Sequence, residues 1–267
     1  MQINNSKKFS EFFEKVFSPR KIDFLVLHHV EANSAEHAIE QFKEHQVSAH
    51  FLIDESGEIF ELVGENDVAY HAGVSFWRGC DGLNKNSIGI EFINPSPFTK
   101  KFEMAQMQAG VELCKYLIEK YGIEARNIVG HSDVAYFPKH TLRQAQGDSD
   151  SDWVSDEKNS VMLSLSKHDC IEECLNRKQD PSHLFDWKFF AKNGVGIFPE
   201  FSVGKKFKLG DKNPEIKKIK ENLQEFGYRV VNLNDEFDEE MQALTKVFNR
   251  RFLGEESDIW SLELMSC

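Results

Sequence analysis

The chain has 267 residues, a net charge of −12, and 40% hydrophobic and 12% aromatic side chains. That length suits one full-sized domain and a small second one, and the acidic balance without a local basic patch argues against a nucleic-acid partner. No stretch approaches the roughly 18–20 apolar residues of a membrane span, the N-terminus lacks the apolar core of a secretory signal, and five scattered cysteines predict reduced thiols rather than a disulfide framework.

The first clear element is IDFLVLH (22–28), a compact apolar run that reads as a buried strand with its functional end at His28. A helix follows over 33–46, with Asn33 as N-cap, Glu36 three residues on, and Ala38, Ile39 and Phe42 as the apolar stripe. SAHFLIDESGEIFELV (48–63) predicts a hairpin turning on DESG, where Gly57 supplies a positive φ. SIGIEFI (87–93) is another buried strand. Residues 103–121 place Met107, Val111, Cys114, Leu117, Ile118 and Tyr121 at helical spacing, with Gly122 as the stop. NIVGH (127–131) adds one short strand. Strands alternating with helices indicate an α/β (α+β) fold, a mixed central sheet flanked by helices.

From about 141 to 177 the chain turns polar and Ser/Asp-rich without clean periodicity, which reads as an insertion in a domain spanning 1–192. Residues 193–206, punctuated by Gly and Pro, read as a linker. A small helical domain follows over 207–267: Asn213 caps, Pro214 takes N1, and Ile216, Ile219, Leu223 and Phe226 share a face before Gly227. A second helix carries Met241, Leu244, Val247, Phe248 and Phe252. This unit is too small to host chemistry of its own and reads as a binding domain.

Ten histidines are present, and a lone histidine is usually bland. His28 and His131 stand out because each ends a predicted strand, so one sheet edge can hold both. Two imidazoles and a carboxylate are the protein ligands of a catalytic zinc, with a fourth position left for water. Spacing does not choose the carboxylate. Asp133 sits close to His131 and suits a turn cap, Asp148, Asp150 and Asp152 lie in the insertion, and Asp180 stands where folded sequence resumes. His168, Cys170 and Cys174 mimic a second cluster, but in a polar insertion they predict none.

Six ordered blocks carry a resemblance: VLHHV, SAHFLIDESGEIFELV, AYHAGVSFWRG, SIGIEFIN, GHSDVA and RKQDPSHLFDW. Together, over about residues 20–192, they resemble the type 2 zinc-dependent N-acetylmuramoyl-L-alanine amidases. The resemblance implies hydrolysis of the amide between N-acetylmuramic acid and L-alanine, with peptidoglycan or muropeptides as partners and one Zn2+ per chain. Carried over by position, it implies His28, His131 and Asp180 as metal ligands, Glu91 as general base and Lys178 as oxyanion stabiliser. His50, His71, Trp77 and Asn94 become substrate-side candidates, with His71 alternatively behind the ligands. In the family GHSD runs almost directly into the segment with the lysine and aspartate, so the insertion, which resembles protein-coding palindromic repeat elements, splits the site. Loop closure permits this, since each doubling of loop length costs only about 0.6 kcal/mol.

LGDKNPEIKKIKENLQEFGY and ALTKVFNRRF resemble the three-helix peptidoglycan-binding modules of wall hydrolases. A wall substrate and such a module favour the periplasm or envelope, while the missing signal leaves the cytoplasm open. The alternative class is a non-catalytic peptidoglycan-recognition protein on the same fold, whose members typically lack a ligand. A zinc peptidase of another family is disfavoured because no His-Glu-x-x-His helix is present.

Overall fold

A computed structural model describes residues 2–6, 11–135 and 178–264. Its centre is a six-stranded sheet: β1 (Ile3–Asn4), β2 (Phe24–Val30), β3 (Phe51–Ile53), β4 (Ile59–Glu61), β5 (Ser87–Ile93) and β6 (Ile128–Gly130), in the order β1-β4-β3-β5-β2-β6. Only the β3–β4 hairpin pairs antiparallel; the other neighbours run parallel. At its turn Asp54 Oδ1 accepts from the backbone N–H of Ser56 and Glu58, and Gly57 takes φ +88°.

Alternation along the central strands separates two environments. Leu25 and Leu27 of β2 and Ile88, Ile90 and Phe92 of β5 enter a core with Met107, Val111, Leu113, Cys114 and Leu117 of helix α2 (Met104–Tyr121). The opposite face therefore carries Val26 and His28 on β2, with Gly89 and Glu91 on β5. Because β2, β5 and β6 are parallel, their carboxyl ends share one edge, where open α/β sheets place ligands. The register sets His28 beside Glu91 and Gly130 beside Leu27.

Helix α1 (Ala35–Glu44) begins one residue later than the sequence suggests. Ser34, not Asn33, is the N-cap, and its hydroxyl accepts from His37 N–H at 3.2 Å. Helix α2 stops at Gly122 in the left-handed conformation, φ +68°. A short α3 (Trp187–Lys192), capped by Asp186, closes the same core with Phe190. The expected insertion at 141–177 lies outside the described residues.

The C-terminal unit departs from the all-helical expectation. Helices α4 (Pro214–Phe226) and α5 (Glu239–Phe252) are present with the expected Asn213 cap and Pro at N1. Part of the expected linker, however, is a strand: β7 (Phe201–Phe207) pairs antiparallel with β8 (Trp260–Leu264). That partner lies more than fifty residues away in sequence, so local punctuation gave no sign of it.

Nor does this unit hang free. Phe24, Val26, Trp77, Leu83, Val129 and Val134 of the first unit form one continuous buried cluster with Ile216, Leu223, Tyr228, Leu244, Phe248 and Trp260 of the second. Trp77 packs edge-on against Tyr228 with ring centroids 4.8 Å apart. Lys220, wholly buried in α4, is satisfied by Asn234 at 2.7 Å and Asp238 at 3.0 Å.

Candidate metal centre

Three donor atoms meet at the carboxyl edge of the sheet. His28 Nδ1 lies 3.1 Å from His131 Nδ1 and 3.0 Å from Asp180 Oδ2, and His131 Nδ1 lies 3.1 Å from that same oxygen. His28 arrives on β2. His131 opens a single helical turn (His131–Val134) after β6. Asp180 stands on an irregular segment where the described residues resume at Lys178. The two sides are joined where Ser132 N–H donates to the Asp180 carbonyl at 2.7 Å.

The surrounding hydrogen bonds assign the protons on both imidazoles. Ser87 Oγ donates to the Leu83 carbonyl at 2.6 Å, so it accepts from His71 Nε2–H at 3.1 Å. His71 Nδ1 is then a bare acceptor, taking the proton of His28 Nε2 at 3.0 Å. That leaves His28 Nδ1 as a lone pair. His131 Nε2–H donates to the Ala72 carbonyl at 3.2 Å, which leaves its Nδ1 bare as well. Orienting bonds of this kind fix ligand tautomers in metal sites.

Two lone pairs and a carboxylate oxygen thus face one another at about 3 Å with no proton between them. Such a trio is repulsive unless a cation sits among it. A tetrahedral ion about 2.0–2.1 Å from each donor spaces its donors by roughly 3.3 Å, close to the triangle observed. The donor set fits a divalent N/O-binding ion.

The electrostatics agree. Burial, then the neighbouring His131, lowers His28 to about 4, with Asp180 only partly offsetting them, so the ring is neutral at pH 7. Burial and the surrounding imidazoles hold His71 well below its ordinary value. For Asp180, burial alone would raise the carboxyl; a positive charge on the His131 and His28 side, carried by a ring proton or by a cation in its place, outweighs burial and holds the carboxyl well below its ordinary value.

Glu91 stands beside His28 on β5. Its Oε2 is buried and, among the described residues, has no hydrogen-bond partner. Burial, then the charge of Asp180, pushes its carboxyl well above the usual range, opposed by Lys178. Lys178 itself is exposed at the rim. A carboxyl of raised pKa with one buried oxygen unpartnered, next to a candidate metal set, is an arrangement suited to a general base.

The remaining candidates take other places. His71 is the relay behind His28, and its ring lies flat against β5: a Cβ at Gly89 would sit 2.4 Å from it. His50 is fully buried, accepting from Gly89 N–H at 3.0 Å and contacting Arg20 at 2.7 Å. Burial first, then Arg20, lowers it to about 3. Trp77 is wholly buried and donates to the Arg126 carbonyl at 2.9 Å. Asn94 clips its own loop, donating to the Lys100 carbonyl and accepting from Ser96 N–H. The substrate-side reading of His50, Trp77 and Asn94 does not fit these positions, because none presents a side chain to solvent.

Sequence reasoning passed over two supports. His29 Nδ1 accepts from Ser182 N–H at 3.1 Å, and Ser182 Oγ donates to the Pro97 carbonyl, which together secure the Asp180 segment. Asp133 caps its turn as the sequence suggests, accepting from Gly130 N–H, and is also bonded to Tyr228 and Arg251, which spacing did not reveal. A glycine inside the SIGIE strand was the legible sign of a close approach by another group.

Comparison with known proteins agrees with this geometry. Residues 18–146 match the family model described as N-acetylmuramoyl-L-alanine amidase. The chain is 29% identical over 228 residues to N-acetylmuramoyl-L-alanine amidase AmiD of Escherichia coli (strain K12), covering 79% of this chain and 68% of that protein. It is 39% identical over 104 residues to 1,6-anhydro-N-acetylmuramyl-L-alanine amidase AmpD of Haemophilus influenzae, covering 38% of this chain and 53% of that one. The fold is similar to that of Escherichia coli AmiD solved with the substrate anhydro-N-acetylmuramic acid-L-Ala-D-γ-Glu-L-Lys, with TM-score 0.64, 23% identity, and 94% and 93% of the two chains covered.

Proposed function

The chain belongs to the N-acetylmuramoyl-L-alanine amidase family, and on that premise we propose that it hydrolyses the muramoyl–L-alanine amide at a zinc centre held by His28, His131 and Asp180. The observation that carries this reading is the meeting of three proton-free donors beside the Glu91 carboxyl, whose buried Oε2 has no hydrogen-bond partner among the described residues. A bound zinc ion supplies a water of pKa near 7 and polarises the scissile carbonyl.

The chain's own residues do the rest. Glu91, in its carboxylate form, takes a proton from the attacking water, and its raised pKa makes that carboxylate a stronger base. It then passes that proton to the amide nitrogen as the C–N bond breaks. The products are the free lactyl carboxylate of the sugar and the α-amine of L-alanine. Lys178 at the rim donates to the oxygen that becomes negative in the tetrahedral intermediate, a contribution worth about 10²–10³ in rate for a well-placed donor. His71 and Ser87 keep the His28 lone pair turned toward the metal.

Muropeptides with a 1,6-anhydro sugar are supported as substrates by the ligand solved in the AmiD complex. A polymer-binding role for the C-terminal unit is supported by the resemblance of its two helix sequences to wall-binding modules, and tethering of that kind raises the local concentration of the catalytic site. Localisation follows substrate: intact wall places the enzyme in the periplasm, imported fragments in the cytoplasm, and cell fractionation decides between them.

The test pairs elemental analysis with product release from purified peptidoglycan and from 1,6-anhydro-muropeptide. About one zinc per chain with release of peptide bearing a free L-alanine amine is the expected result. Peptidoglycan binding with neither zinc nor release would replace the enzyme by a recognition protein.

A further inference from the structure

The turn that carries His131 is held from the far end of the chain. Asp133 lies two residues after His131, is 1% exposed at its side chain, and has both oxygens engaged. Its Oδ2 accepts from Gly130 N–H at 2.8 Å and from Arg251 Nη1 at 2.5 Å. Its Oδ1 accepts from the Tyr228 hydroxyl at 2.8 Å. Arg251 also donates from Nη2 to the Ile128 carbonyl at 2.9 Å, so one guanidinium spans the start of β6 and the turn that follows it. Its planar group lies over the Trp187 ring, 4.5 Å from the centroid.

Neither partner belongs to the sheet domain. Arg251 comes from the last turn of α5 and Tyr228 from the residue after Gly227, both in the C-terminal unit. A fork with one arm on a strand carbonyl and the other on a carboxylate fixes orientation as well as distance, which a lysine's point charge does not. The turn has little other freedom. A Cβ at Gly130 would lie 2.9 Å from Pro181, next to Asp180, so displacement of this turn disturbs two of the three donors at once.

We propose that Arg251 and Tyr228 are positioning residues for the metal centre, acting through Asp133 on His131, so that the C-terminal unit is part of the site's support rather than only a carrier of substrate affinity. The proposal rests on the metal reading of His28, His131 and Asp180. It assigns this unit a task whatever polymer it binds.

The test uses the full chain and zinc alone, with affinity measured by competition against a chelator and the cobalt(II) derivative followed by its visible ligand-field bands. Arg251→Met is expected to loosen zinc about 10–100-fold, the range found when an outer support of a ligand is removed. Tyr228→Phe should loosen it several-fold and weaken the cobalt bands in step. Arg251→Lys should recover only part of the loss. Lys220→Met is the control: it opens an equally buried polar contact of the same unit, one made to Asn234 and Asp238 and not to Asp133, and should leave zinc affinity unchanged while lowering the melting temperature. Should Arg251→Met not fold, Tyr228→Phe alone carries the test. Zinc held within twofold of wild type by Tyr228→Phe and Arg251→Met would overturn the proposal, as would a loss in Lys220→Met equal to that in Arg251→Met. A wild-type chain that binds no zinc would strike the metal reading itself, a result distinguishable because all four variants would then match it.

Discussion

His28 and Asp180 point at the same spot, but they are placed by different means. His28 sits inside a seven-residue strand paired on both sides, to β5 and to β6. Its position is set by a ladder of backbone bonds that no single side chain controls. Asp180 stands on a stretch without regular structure, secured by separate ties: its carbonyl to Ser132 N–H, Ser182 N–H to His29, the Ser182 hydroxyl to Pro97, and Pro181 against Gly130. The ladder is redundant and the ties are not. A donor on a strand is protected from point changes around it, whereas a donor on a tied loop depends on each tie, which makes the Asp180 side the tolerant place for inserted sequence and the sensitive place for metal affinity.

Four probes sharpen or break this contrast. The largest effect is expected from the donors themselves. Asp180→Ala and His28→Ala should each lose stoichiometric zinc and lower kcat/KM by about 10³ or more, since the metal contributes several kcal/mol of transition-state stabilisation. Full zinc and activity in Asp180→Ala would move the third ligand elsewhere and void the comparison.

Next comes Glu91→Gln, which should lower kcat by about 10²–10⁴ with zinc retained. It should also stabilise the metal-free protein. The folded-state pKa of Glu91 lies above its unfolded value, so the wild type loses stability as pH rises from the unfolded pKa through the folded one. The variant's advantage therefore grows over that window and is complete above it, with each kcal/mol raising the melting temperature by about 2–4 °C. A lower melting temperature at pH 8 in the variant would show that the carboxylate is paired, not orphaned.

The third and fourth probes separate stability from affinity. A Cβ at Gly110 of α2 would lie 2.6 Å from Phe92, on the sheet face away from the site. Overpacking there should cost about 1–3 kcal/mol, offset by up to ~1 kcal/mol that alanine gains over glycine in a helix, with zinc affinity unmoved in chelator competition. Ser182→Ala is the converse: a loss near 1 kcal/mol in denaturant titration, yet about tenfold weaker zinc. If Gly110→Ala loosens zinc and Ser182→Ala does not, the ladder is not the protection claimed for it.

Much of this was written plainly in the sequence. The alternation of IDFLVLH and SIGIEFI gave the two central strands, and their ends gave His28 and Glu91. His131 followed from the short apolar run before it. The third donor was legible only through resemblance, because Asp180 belongs to no periodic element and its approach depends on contacts with Ser132 and Gly130. His50, Trp77 and Asn94 share motif blocks with residues proposed for the site, yet burial sends them into support, and sequence spacing carries no depth. The strand at 201–207 was hidden because its pairing is wholly non-local.

The shared buried cluster of Trp77, Tyr228, Phe248 and Trp260 has a consequence for folding. The contact between Asp133 and Arg251 closes 118 residues of sequence, and each unit covers an apolar face of the other in the shared cluster. Unfolding should then be one all-or-none transition, with calorimetric and van't Hoff enthalpies equal and with Trp fluorescence and circular dichroism melting together. Contacts this distant in sequence also make for slow folding. Removal of the chain after residue 206 should expose the apolar face that the C-terminal unit covers and yield an aggregation-prone remnant rather than a smaller working hydrolase.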